Sequence, residues 1–342
     1  MKVLVTGSAG YVGSVLSPVF AQHGHDVVGL DTGYYDGCDF GLYDDERERL
    51  SVDVRDVEPA HLEGFDAVVH LAALSNDPLG DLSPELTHEI NHEGTVRVAQ
   101  AAKTAGVPRF VFASSCSMYG ASDADALLAE DAPLRPLTAY AESKVRSEEA
   151  LRELDGDGFT TVSMRNATVY GVSPRLRLDI VLNNLAGWSH VTGRIRLLSD
   201  GMSWRPLLHV RDLAKVALRI VDAPQGLVGG KAFNIGSDAQ NYLVRDLAEI
   251  LADVTGCEVE FAGDASPDPR SYRVDFSALG RAFPDLELDW DARRGAQELI
   301  DAYRAVGLTA EGFDGRSYVR LRQLRHLLDE HRLDDDLRWV GH

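Results

Sequence analysis

Tyr140 and Lys144 stand four residues apart in the run Tyr140-Ala141-Glu142-Ser143-Lys144. On a helix that spacing puts a phenol and an ammonium on one face. A phenol ordinarily titrates near ~10 and is a poor base at neutral pH. A neighbouring positive charge favours the phenolate. A phenolate can take a proton from a hydroxyl as hydride leaves the same carbon. A second hydroxyl source lies upstream, in Phe112-Ala113-Ser114-Ser115-Cys116-Ser117-Met118-Tyr119-Gly120, at the end of an apolar, strand-like run. Open parallel sheets bind ligands at strand C-termini, so a serine here can bond the same oxygen as Tyr140.

Hydride chemistry needs an acceptor, and the first residues offer a place for one. Residues 2–6 read as a buried strand, followed by Gly7-Ser8-Ala9-Gly10-Tyr11-Val12-Gly13, with a helix pattern from Tyr11 to about His23. Glycines at G-x-x-G-x-x-G spacing let the backbone turn tightly against a pyrophosphate. The helix N-terminus then offers it free N–H groups. Asp31 ends a second strand, Asp26–Leu30. An acid there bonds the ribose hydroxyls of NAD and repels a 2′-phosphate. No arginine or lysine occupies 32–35, so NAD is favoured over NADP, with Lys144 placed to hold the nicotinamide ribose.

These residues need a scaffold that carries strand ends and helix starts to one place. Val68–Leu71, Arg109–Ala113 and Thr160–Met164 read as further strands, with helical patterns at about 84–105 and 138–155. That alternation predicts an α/β fold, a Rossmann-type doubly wound parallel sheet. Residues 32–50 read as loop and 171–206 lack a long period. Asp212–Val221 and Arg245–Val254 read as helices, Lys231–Ile235 as a strand, 267–275 as a charged loop and roughly 316–330 as a helix. The expected division is residues 1–170 for the NAD-binding domain, with 207–255 returning to it. Residues 171–206 and 256–342 then form a smaller, mixed substrate domain and a C-terminal extension of unassigned role.

A chain of 342 residues has room for about two such domains. Its net charge of −20 opposes nucleic acid and anionic membrane, so a phosphate site must be built locally from arginines and helix N-termini. Cys38, Cys116 and Cys257 are too scattered for a disulfide framework or a metal pair. No metal site, nucleic-acid partner or membrane partner is expected, and a cytoplasmic location is.

Taken together the motifs resemble the extended short-chain dehydrogenase/reductases, in particular the nucleotide-sugar epimerase and dehydratase family. The glycine turn, the acid after the second strand, Val52-Asp53-Val54, His70-Leu71-Ala72-Ala73, Asn91, the serine stretch ending Tyr119-Gly120 and Y-x-x-x-K occur in family order. Arg165…Tyr170-Gly171, Arg205-Pro206-Leu207-Leu208-His209-Val210-Arg211-Asp212 and Asp268-Pro269-Arg270-Ser271-Tyr272 extend the likeness to about residue 300. The resemblance implies Ser115, Tyr140 and Lys144 as the catalytic set. It implies NAD contacts from Gly7, Gly10, Tyr11, Val12, Gly13, Asp31, Asp53, Val54, Leu71, Ala72, Ala73, Asn91, Ser114, Tyr140 and Lys144. It implies a nucleotide-diphosphate sugar as substrate, gripped by Arg205 and Arg270, since a guanidinium pairs well with phosphate even on an acidic protein. Ser115, Cys116, Ser117 and Thr168 would face the sugar. A homodimer through the helices at about 84–105 and 138–155 is also implied.

Dehydrating relatives carry Asp then Glu after the catalytic hydroxyl, where Cys116 and Ser117 stand here. The stretch is nearest that of C4 epimerases, so transient oxidation at C4 is favoured over 4,6-dehydration, decarboxylation, C3/C5 epimerisation or 4-ketoreduction. A non-catalytic NAD-binding regulator is disfavoured by the retained catalytic set. Relatives that epimerise at C3 and C5 use a cysteine two residues before the tyrosine; Cys116 is three before Tyr119. Cys116 is therefore read as a packing residue in preference to an acid–base group. Thr168 stands where relatives commonly have Asn, with Asn166 nearby. Trp188, Trp204, Asn183 and Asn184 read equally as pocket lining or as packing.

Overall fold

The computed structural model describes residues 1–43, 45, 47–80, 83–121, 126–261 and 270–341. Asp268 and Pro269 of the expected diphosphate stretch, and the start of the loop expected at 267–275, lie outside them.

Strand β1 (Lys2–Thr6) has a continuous apolar centre, Val3-Leu4-Val5, because it runs through the middle of a sheet covered on both faces. Val3 and Val5 join one core with Leu16 and Phe20, while Leu4 points into another with Val28, Val68 and Val98. The remaining strands are β2 (Asp26–Leu30), β3 (Arg49–Leu50), β4 (Ala67–His70), β5 (Arg109–Ser115), β6 (Thr160–Asn166) and β7 (Lys231–Ile235). Their order is β7-β6-β5-β4-β1-β2-β3, parallel throughout. The fold is thus the expected Rossmann-type α/β sheet. The order reverses between β1 and β4, where Thr6 pairs with His70. The crevice beyond those two strand ends is where such sheets take ligands.

The second half builds a third core around Tyr170, Leu182, Leu247 and Leu299. It carries a three-stranded sheet of Thr168–Tyr170, Trp204–His209 and Asn241–Leu243, and a pair formed by Arg194–Leu197 and Glu258–Phe261. A helix, Val181–Thr192, occupies part of the stretch read as irregular. Its buried face includes Asn183, Gly187 and Ser189 beside Leu182 and Leu185, so polar and small residues break the apolar stripe that would have announced it.

The last helix, Arg320–Asp329, falls within the expected 316–330. Its Leu324 and Leu327, with Leu333 and Leu337 after it, enter the core shared with Leu4, Val28 and Leu30. The C-terminal extension therefore packs on the β1–β2 side of the main sheet.

Candidate active site

β1 leads directly into the glycine turn. Gly7 has φ +70°, and a Cβ there would sit 2.9 Å from the Ala72 nitrogen. A Cβ on Gly13 would sit 2.3 Å from the Gly7 oxygen. Glycine is needed at both positions for the turn, the helix Gly13–Gln22 and the β4 end to meet. Among the described residues no side chain caps that helix start, which suits its N–H groups to an anion. Asp31 braces the turn: Oδ2 accepts from the Ala9 nitrogen at 3.0 Å and Oδ1 from that of Gly33 at 2.8 Å. Burial pushes its carboxyl up, and these two bonds pull it back. A turn with glycine at its points of close approach, closed by an acid at ribose distance along the chain, fits a dinucleotide lacking a 2′-phosphate.

Tyr140 lies in the first turn of the helix Ala139–Leu154, whose cap Thr138 accepts from the Ala141 nitrogen at 3.2 Å. Ser115 ends β5, and its hydroxyl bonds that of Ser117 at 2.9 Å. A hydrogen bond from Ser115 favours the Tyr140 phenolate, but burial outweighs it and pushes the phenol up to about 12, with Asp77 acting in the same direction. Lys144 Nζ stands 5.7 Å from the centre of the Tyr140 ring. Its Nζ donates to the Ala113 carbonyl at 2.8 Å and lies 4.6 Å over the Phe112 ring. Burial pulls this ammonium down to about 7, against the attraction of Glu148. Without a cofactor, desolvation is the largest influence on both groups.

A cavity of about 950 Å³ runs from the glycine turn past Tyr140 to Arg205. Every expected cofactor residue except Asn91 lines it, as does every expected substrate residue except Cys116 and Asn183. Those three have other work. Asn91 lies in a π-helical turn, His88–Glu93, and its amide bridges the Leu74 nitrogen (2.8 Å) and oxygen (3.1 Å), shaping the loop after β4. Asn183 accepts from the Gly171 nitrogen at 3.0 Å and donates to the Arg177 oxygen at 2.9 Å. Cys116 is fully buried, and its thiol meets the Arg165 carbonyl at 3.1 Å. Burial pushes that thiol up, away from the lowered value proton transfer needs. Ser115 and Ser117 line the cavity on either side of it. Trp188 packs edge-on against Phe313, and Trp204 lies under Arg273.

At the far end Arg205 is almost buried and donates to the Trp204 carbonyl at 2.8 Å and to that of Arg270. Arg270 pairs with Asp77, which also accepts from the Thr138 hydroxyl at 2.6 Å. Asp77 thus ties Arg270 to the cap of the Ala139–Leu154 helix. Sequence reasoning missed Asp77, and also Arg177, which is bidentate to Asp179 at 2.8 and 3.0 Å and bonds the Ser75 hydroxyl at 2.9 Å. The alternation Arg175-Leu176-Arg177-Leu178-Asp179, with both leucines buried, was a readable sign of charges turned to one side.

The geometry agrees with known proteins. The model of the NAD dependent epimerase/dehydratase family matches residues 3–236. A UDP-glucose 4-epimerase of Corynebacterium glutamicum is 32% identical over 79% of this chain and 85% of its own. One of Bacillus subtilis is 27% identical over 92% and 99%. The structure of MoeE5 with UDP-glucuronic acid and NAD superposes with a TM-score of 0.77 at 25% identity, covering 89% of this chain and 99% of that one. With a dinucleotide cradle, a Ser–Tyr–Lys set lining one cavity and these relatives, the chain belongs to the NAD-dependent epimerase/dehydratase family, and its cofactor is NAD.

Proposed function

We propose that the protein epimerises a nucleotide-diphosphate sugar by transient oxidation at C4. The observation that carries this reading is the pairing of Ser115 and Tyr140 in the cavity with Ser117, not an acid, beside them. Removal of water across C5–C6 needs an acid and a base near those carbons. Cys116 faces the core, Ser117 is a hydroxyl, and Asp77 is engaged by Arg270 and Thr138. The names of the relatives, UDP-glucose 4-epimerases, support the same reaction.

In this mechanism Arg205 and Arg270 hold the diphosphate and leave the sugar free to present either face. Ser115 orients the C4 hydroxyl, and Tyr140 accepts its proton. NAD, when bound, would supply the hydride acceptor and a positive charge that favours the Tyr140 phenolate. Lys144 lines the same wall and would hold the nicotinamide ribose. After the sugar turns, Tyr140 would return the proton to the C4 oxygen. Homodimerisation through the helices near 84–105 and 138–155 belongs to the same proposal.

The test is a panel of UDP-, dTDP-, GDP- and CDP-sugars incubated with protein and NAD, with products read by proton NMR and mass spectrometry. An isomer of unchanged mass inverted at C4 supports the proposal. Loss of water or carbon dioxide, or stoichiometric consumption of reduced cofactor, overturns it.

A further inference from the structure

Nothing in the reaction uses the chain beyond residue 307, yet its last segment is fastened along the Asp31 end of the cavity. Gln323 donates to the Tyr34 carbonyl at 3.1 Å, Tyr34 donates to that of Leu337, and the Trp339 indole donates to that of Thr32 at 2.7 Å. Arg55 donates to the Asp336 carbonyl at 2.7 Å. Thr32, Tyr34 and Tyr35 follow Asp31 directly and line the cavity.

Arg320 opens the last helix and is 2% exposed, but its side chain also lines the cavity. One guanidinium nitrogen, Nη2, donates to the Arg175 carbonyl at 2.7 Å. The group lies 4.1 Å over the Tyr35 ring. Its other terminal nitrogen, Nη1, is buried without a hydrogen-bond partner. Among the described residues no carboxylate forms an ion pair with it, because Asp179 beside it is spent on Arg177. Burial pulls the guanidinium down to about 10, with Arg177 adding repulsion. A buried cation with an unmade bond is costly to keep. Its natural complement is a doubly accepting anion, and a phosphate suits a guanidinium best.

We infer that the C-terminal segment is the outer wall of the cofactor site and that Arg320 gives its unused N–H to the diphosphate of the dinucleotide. This rests on the assignment of NAD to the cavity. A 2′-phosphate offers the same chemistry, but Asp31 sits where it would have to lie. Arg320 is then a cofactor-binding residue contributed from the end of the chain, and it closes the site that the glycine turn opens.

Calorimetric titration of the full chain with NAD, ADP-ribose and NADP tests this on wild type, Arg320→Gln and Arg320→Lys. Arg320→Gln is expected to weaken NAD and ADP-ribose together by roughly ten- to hundredfold, and Arg320→Lys to recover part of the loss. Circular dichroism checks the fold. If Arg320→Gln does not fold, Arg320→Met, which keeps the stem on Tyr35, takes its place. A folded neutral variant that binds NAD within twofold of wild type overturns the assignment. Weakened NADP with unchanged NAD would move the contact to a 2′-phosphate and overturn it too. A wild-type chain that binds no dinucleotide at all would instead remove the cofactor reading beneath it.

Discussion

Lys144 donates a hydrogen bond from its ammonium to the Ala113 carbonyl, 2.8 Å away, and stands 5.7 Å from the centre of the Tyr140 ring. The two side chains share a helix face, as four-residue spacing requires, but the lysine is anchored to the end of β5. It fixes the Ala139–Leu154 helix against the sheet, while Ser115 bonds the phenol.

Burial has a measurable consequence at Lys144. A lysine held at about 7 in the folded chain binds fewer protons than the unfolded chain between that pH and the ordinary value. Stability therefore rises with pH across that window and is flat below it. Lys144→Met removes this slope. In the absence of cofactor its Tm advantage over wild type should grow as pH falls from about 10 to 7 and then stay constant. A difference that does not change with pH would contradict the burial of a titrating amine.

Tyr140→Phe should lower turnover by about 10²- to 10⁴-fold, the usual worth of a positioned acid–base group, while NAD affinity is kept. In an ultraviolet difference titration of wild type against Tyr140→Phe, the phenol should ionise near pH 12 without cofactor. Added NAD should move that ionisation down, since a positive ring nearby favours the phenolate. Turnover that survives the substitution would remove Tyr140 from the reaction.

Cys116→Ala should leave turnover within about threefold and cost about 1 kcal/mol of stability, as expected for trimming a small buried side chain. Steady-state rates and chemical denaturation measure both. A hundredfold loss of rate in a folded variant would bring the thiol into the chemistry.

Arg205→Ala should raise KM for a nucleotide-diphosphate sugar by roughly ten- to hundredfold, the worth of a charge-assisted bond, with a smaller effect on kcat. A sugar monophosphate should respond far less. Equal losses with both substrates would mean that Arg205 mainly holds Trp204 and Arg270 in place.

The strands of the main sheet were legible because buried parallel strands are short apolar runs bounded by glycine and polar turns; β1, β2 and β7 have the bounds read from sequence. The glycine turn, Asp31, Ser115 and Tyr140 were legible because they lie at the ends of such strands or on a helix of clear period. β3 was not, since two residues at a sheet edge carry no pattern. The pairing of Asp77 with Arg270 and the closure of Tyr35 by Arg320 were not legible either. Each joins residues far apart in the chain, and no local spacing encodes that meeting. Cys116 illustrates a finer limit: its neighbours on both sides reach the cavity while its own thiol turns to Arg165, a distinction that depends on how β5 ends.

The central claim is that one hydride leaves C4 and returns to it. The most direct measurement uses a nucleotide sugar deuterated at C4, turned over in ordinary water, with the product examined by NMR. The account predicts an inverted C4 that still carries the deuterium, with no exchange at C3 or C5. Loss of the label from C4, or solvent protons entering the neighbouring ring positions, would contradict it.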